Sequence, residues 1–404
     1  MTMTNIDQLE CDSFSKELNF MLLLLSEETT EQQPHLVRSA LINMDWDHFI
    51  ELTRHHRVYP IIYKRLKDLA IYNKWIPTKV MASLQREYQR NTYQMLHLSG
   101  VMDTVCRILD DNQIRSIFLK GPVLALDLYG DISLRTSCDL DLIVPMEDLA
   151  RTESLLLKLG YVKDDYFETI LGDWKWRHHH ITFYHPIIGI KLEIHWRLNP
   201  GPSKEPGFNK LWTRKRTSTI TNYPIYYLGR EDLFMFLVSH GARHGWSRLR
   251  WLADIDRLSR QPIDWVVLRE LLYKYQYAHI GGQALILSEQ LLLTPIAGRI
   301  RAIMGDTRTR RLAQDALFYI RQMVNLHTEP VPEHISRYHK RHLFSLMSTQ
   351  QKIIFILSFL YPYPEDARTL PLPTKLHFLY FPLRLIVWTW RKTKKITLQE
   401  GGYK

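Results

Sequence analysis

The chain has 404 residues, 45% hydrophobic content and 12% aromatics against 24% charge, which supports real cores and excludes a disordered chain. Its formal charge of +11 and pI near 9.4 favour an anionic partner such as nucleotide, RNA or an acidic protein surface. Cys11, Cys106 and Cys138 lie far apart without paired spacing, which suits a reducing compartment and excludes a cysteine-built zinc site.

Near the N-terminus, NFMLLLLSEE is apolar for a few residues only, lacks a basic leader and runs into acids, so a secretory leader is not expected. Residues 1–100 read as a helical region. DWDHFIELTRHHRVYPIIYKRLKDL carries apolar residues at helical spacing interrupted by Pro60, and SLQREYQRNTYQMLHLSGVMDTVCRILDDN continues the pattern for several turns.

From Ile114 the period changes, and residues 101–228 read as an α/β core. IRSIFLK predicts a buried strand, Gly121 a turn, and Pro122 the first turn of a helix that Gly130 ends. SCDLDLIVP then predicts a strand with Asp139 and Asp141 on one face. Two acids there repel each other and are costly to bury. Either a Lys or Arg pairs with them, a metal ion sits between them, or they face solvent from an edge strand. EDLARTESLLLKLG predicts an amphipathic helix.

HHHITFYH and GIKLEIHWRL predict a hairpin. In the second strand Lys191, Glu193, His195 and Arg197 share one face, so Glu193 is either a third acid of a site or the partner of Lys191 or Arg197. If the first strand starts at the histidine run, only His178 and His180 share a face, and no nearby cysteine completes a zinc set. Beyond LNPGPSKEPG and a short YPIYYL strand, residues 229–404 read as a C-terminal helical domain. His240 and His244 share one helix face there, but Gly241 stands where a zinc protease needs glutamate. The terminal run HFLYFPLRLIVWTW falls short of the roughly 20 residues of a spanning helix and contains Pro382 and Arg384. Its RKTKK flank leaves contact with a membrane surface open.

In chain order, FLKGPVLALDLYGDISLRTSCDLDLIVP, LGYV, KLEIHWRL and HGARHGWSRLRWLADI, with a fainter HHRVYPIIYKRLKDL upstream, resemble the uncharacterised nucleotidyltransferase family of the polymerase-beta-type superfamily. The resemblance covers residues 40 to 260 in patches. It implies an α+β fold with a mixed sheet, flanked by N-terminal and C-terminal helical regions. It further implies a cytoplasmic enzyme that moves a nucleoside monophosphate from an NTP to a hydroxyl acceptor, with Mg²⁺ or Mn²⁺. The acceptor is left open between a small molecule, a peptide or protein, and RNA. By the same resemblance Asp139, Asp141 and Glu193 are the catalytic and metal-holding acids, and Lys120, Gly121 and Arg135 contact the nucleotide. Here Pro122 follows Gly121 and removes one N–H from the turn, and the gap to Asp139 is longer than in minimal enzymes. Arg135 has a second reading, a structural bridge to Asp131 or Asp139. The rival from another class is a catalytically silent relative that binds nucleotide or a partner protein.

Overall fold

The computed structural model describes residues 8–27, 41–69, 75–164 and 171–400, the last nine as backbone only. The leading helices among the described residues are α1 (Lys16–Leu25), α2 (Trp46–His55), α3 (Tyr59–Asp68) and α4 (Thr78–Asp111). Ser15 and Asp45 cap α1 and α2 by accepting backbone N–H groups, and Pro60 sits in the first turn of α3, where its missing donor is harmless. The sequence break at Pro60 is therefore the boundary between two helices.

The middle of the chain alternates: β1 (Ile117–Phe118), α5 (Pro122–Tyr129), β2 (Asp139–Ile143), α6 (Leu149–Lys158), β3 (Val162–Lys163), α7 (Trp174–Arg177), β4 (His180–His185), β5 (Ile190–His195), α8 (Phe208–Arg214), β6 (Arg216–Ser218) and β7 (Ile225–Tyr227). The strands form one seven-stranded sheet in the order β3-β4-β5-β2-β1-β7-β6. β4 and β5 are the antiparallel hairpin expected, and β5 then lies parallel to β2. The fold is mixed α+β, as the resemblance implies.

Helices follow to the end: α9 (Arg230–Arg243), α10 (Leu249–Ser259), α11 (Trp265–Lys274), α12 (Ala278–Leu292), α13 (Thr307–Arg321), α14 (Glu333–Leu346), α15 (Thr349–Leu357), α16 (Pro364–Thr369) and α17 (Tyr380–Glu400). Among the described residues no helix is long and apolar enough to cross a membrane.

Alternation along β2 and β5 divides the sheet's two faces. Leu140, Leu142, Leu192 and Ile194 are fully buried on one face, in a cluster with Leu98, Met102 and Val105 of α4. Each such side chain contributes about 2 kcal/mol of hydrophobic burial. The register is thereby set, and the intervening residues, Asp139, Asp141, Lys191 and Glu193, must point to the other face. A second cluster joins α1–α3, Leu119 and α9–α13 into one continuous core. It carries α9 and α10 to the side of the sheet on which the acids lie.

Candidate active site

Asp141 and Glu193 are register partners on adjacent parallel strands, and Asp139 is paired with Lys191 one pleat away. The sheet thus brings all three expected acids together. Asp141 is completely buried. Its Oδ1 lies 3.2 Å from Lys120 Nζ and 3.3 Å from His195 Nε2, while its Oδ2 has no hydrogen-bond partner among the described residues. Burial pushes the Asp141 carboxyl up, and Asp139 and Glu193 add to the rise against the pull of Lys120.

Glu193 behaves in the opposite way. Burial alone would raise it, but the bond with His195 and the charges of His180 and Lys120 hold it well below the carboxylate range. Lys191 Nζ lies 2.7 Å from Glu193 and 3.7 Å from Asp139, so the ion-pair reading and the shared-face reading of Glu193 are both realised. His195 is buried, yet its bonds to Asp141 and Glu193 outweigh burial and raise its pKa.

Lys120 follows β1 and lines the cleft, and the preceding Leu119 N–H donates to the Asp141 carbonyl. Gly121 adopts φ +98°, and a Cβ there would come within 3.1 Å of Leu140 Cδ2. The glycine is required first by the turn itself.

Arg135 requires a correction. It is buried, and its guanidinium donates from Nε and Nη2 to both oxygens of Asp254 on α10 at 2.9 to 3.1 Å. It is absent from the cleft, so it is a structural bridge, and the partner is neither Asp131 nor Asp139. Asp254 also accepts from Tyr129 Oη at 2.9 Å, and Asn91 of α4 donates to the carbonyls of Ser133 and Arg135. The loop that delivers β2 is pinned from both sides.

The histidine run also departs from expectation. β4 begins at His180, and His178 caps α7. It is His179 and His180 that lie against His195, with ring centroids 5.3 and 4.9 Å away. Burial keeps both below the ordinary imidazole value, with His180 pushed down to about 3.

Over the acids opens a cleft of about 840 Å³. Its far wall is helical: His240 and Arg243 of α9, then His244, Trp251 of α10, and the segment from Leu326 to Leu343. Gly241 is needed there because a Cβ would stand 2.5 Å from the Trp246 ring, so the HGARHGW pattern is a close helix contact. The cleft is strongly cationic, with seven Lys or Arg side chains against three acids. Arg243 lines it without a hydrogen bond or ion pair among the described residues. Burial and neighbouring arginines push Arg248 and Arg250 down to about 10. Cations crowded in this way gain from a polyanion.

Sequence reasoning missed Arg57, Arg248 and Arg250. Their signal is the pair of short basic strings HHR and SRLR, which the fold stitches together. His55 Nε2 is 3.0 Å from the Ser247 carbonyl, the Leu249 N–H donates to His56 Nδ1, and the Arg250 N–H donates to the His56 carbonyl. Arg57 stands at φ +55° at the end of this junction and lines the cleft.

Two acids thus stand side by side on parallel strands, a third lies one pleat away and a cationic cleft opens above them, on a mixed α+β fold of nucleotidyltransferase type. The chain belongs to the uncharacterised nucleotidyltransferase family, which it matches over residues 43–292. The match takes in α2 through α12, hence the HHR junction, the whole sheet and the α9–α10 wall. No curated protein matches the chain.

Proposed function

We propose that the chain transfers a nucleoside monophosphate from an NTP to a hydroxyl group of an acceptor. The observation that carries this reading is the lateral pairing of Asp141 and Glu193, with an unsatisfied Asp141 Oδ2, beneath a cleft of excess positive charge. A fully buried carboxylate oxygen without a donor is costly unless a cation meets it. Asp141, Glu193 and His195 offer ligand atoms that all lie within 4.8 Å of one another. The residues therefore fit a divalent cation: Asp141 and Glu193 would hold Mg²⁺ or Mn²⁺, with Asp139 one pleat away as the third acid. When bound, the cation supplies charge neutralisation at the phosphates beside the acids.

The chain's own residues divide the remaining work. Arg243, Arg57 and Arg248 meet the triphosphate from the helical wall, and Lys120 holds charge balance at Asp141. The acceptor oxygen attacks the α-phosphorus as the bond to pyrophosphate breaks, and pyrophosphate departs toward the arginines. Asp141 Oδ2 is the oxygen left for the cation, and Glu193 beside it takes the proton of the attacking hydroxyl.

One observation favours a second reading, a silent nucleotide-binding relative: ammonium groups already sit on the acids, Lys191 at 2.7 Å from Glu193 and Lys120 at 3.2 Å from Asp141. Titration with each NTP and Mg²⁺ or Mn²⁺, followed by pyrophosphate release with candidate acceptors, separates the two. Metal-dependent release that disappears in Asp141→Asn supports transfer. NTP binding without release under every acceptor supports the silent relative, and no NTP binding overturns both.

A further inference from the structure

The last two helical segments bury charge and expose apolar groups, the reverse of a helix packed on a soluble body. On α17 the inward stripe holds Tyr380, Arg384 and Val387, all buried. Arg384 is bonded to the buried Asp366 of α16 and donates to the Phe359 carbonyl at 3.1 Å. Arg391 reaches the same aspartate at 3.3 Å. The outward stripe holds Phe381, Leu385, Ile386, Trp388 and Trp390, each between 43% and 65% exposed. The end of α15 and the turn after it add Ile353, Ile356, Leu357 and Phe359, each at least half exposed. Of the large apolar side chains exposed among the described residues, half fall between Phe344 and Trp390. The concentration exceeds the scattered exposure normal for a monomer surface.

The occupant follows from charge. Residues 349–395, which hold α15 to α17, carry eight Lys or Arg against two Asp or Glu, a net of +6. Asp366, one of the two acids, is already bound inward by Arg384 and Arg391. A second copy of this face would bring the same positive charge against itself. An anionic lipid surface meets both properties: it neutralises the cations and takes in the apolar stripe, with tryptophans at the depth they favour. We propose that the α15–α17 face docks flat on anionic phospholipid, holding the enzyme core beside the membrane without crossing it. The inward Arg384–Asp366 pair keeps α17 lying on the protein body while its outer face enters the headgroup layer.

The test uses the full-length chain and vesicles of phosphatidylcholine alone or mixed with phosphatidylserine. The protein should sediment with the mixed vesicles and not with phosphatidylcholine alone, salt should release it, and tryptophan emission should shift to the blue. Leu385→Asp with Ile386→Asp should abolish sedimentation while circular dichroism stays unchanged. Lys392→Gln, Lys394→Gln and Lys395→Gln together should weaken binding roughly a hundredfold, since each cation near an anionic surface contributes about 1 kcal/mol. Failure to bind mixed vesicles at low salt overturns the proposal. So does a dimer in solution that the Leu385→Asp/Ile386→Asp variant splits, which would assign the face to a second copy. Neither outcome bears on NTP binding, which is assayed without lipid.

Discussion

Asp141 and Asp254 are both completely buried aspartates, yet they are built in opposite ways. Asp254 accepts from Arg135 through both oxygens and from Tyr129, so its charge is matched by a fixed guanidinium. Asp141 has a lysine and a histidine on one oxygen, nothing on the other, and two further acids beside it. The first arrangement is closed and holds the β2 loop to α10. The second is open toward a cleft and gains from a further cation. Since depth is equal, the two aspartates differ in the satisfaction of the second oxygen and in the company of other acids.

Substituting each aspartate in turn is the sharpest way to break this comparison. Asp141→Asn should lower metal-dependent pyrophosphate release by on the order of a thousandfold, about 4 kcal/mol of barrier, while the melting temperature stays within a few degrees. In the wild type Mn²⁺ should raise the melting temperature by linkage, and in this variant it should not. Asp254→Ala should act on stability, costing about 3–5 kcal/mol in denaturant unfolding because it strands Arg135 in the interior. If Asp254→Ala unfolds normally but kills activity, or Asp141→Asn does the reverse, the distinction fails.

A smaller effect is expected at Lys191, whose ammonium bridges Glu193 and Asp139 from a side chain 41% exposed. Removing it in Lys191→Met takes away a competing cation, so Mn²⁺ should bind roughly fivefold tighter, in line with the 1 kcal/mol or less of a half-exposed pair. A Mn²⁺ titration followed by electron paramagnetic resonance reads this directly. Unchanged affinity would mean that no cation enters between the acids.

The smallest effect concerns histidines outside the cleft's floor. Burial pushes His55, His279 and His339 each down to about 4 from 6.5. The unfolded chain takes up these protons as pH falls through 6.5, whereas the fold resists until about 4. Stability should therefore fall as pH drops across that window. A melting temperature lower by a few degrees at pH 5 than at pH 7.5 is expected, equally in wild type and Asp141→Asn. A difference between those two would trace the loss to the acid cluster.

Much of the site was legible before folding. Asp139 and Asp141 had to share a face because strand periodicity is two, and the alternation in IKLEIH put Glu193 on the polar side of its own strand. The turn at Gly121, the hairpin and the helical ends were legible from local chemistry too. Arg135 was misread because its partner, Asp254, lies more than a hundred residues away on α10. Which of several acids an arginine meets is not a local property. The histidine run was misread because α7 extends to Arg177 and delays the start of β4.

Periodicity, caps and turn residues act over a few positions, and by themselves they determined which elements form and which side of each strand is polar. Whether β5 would lie beside β2, parallel and in the register that sets Asp141 against Glu193, was decided by burial of Leu140, Leu142, Leu192 and Ile194 against α4. Packing likewise chose the cleft's cations, which come from the α2–α3 junction, the end of α9 and the start of α10, and it turned the aromatic stripe of α17 outward. Contacts of that range depend on how whole faces fit together, and a linear pattern of residue types does not encode that fit.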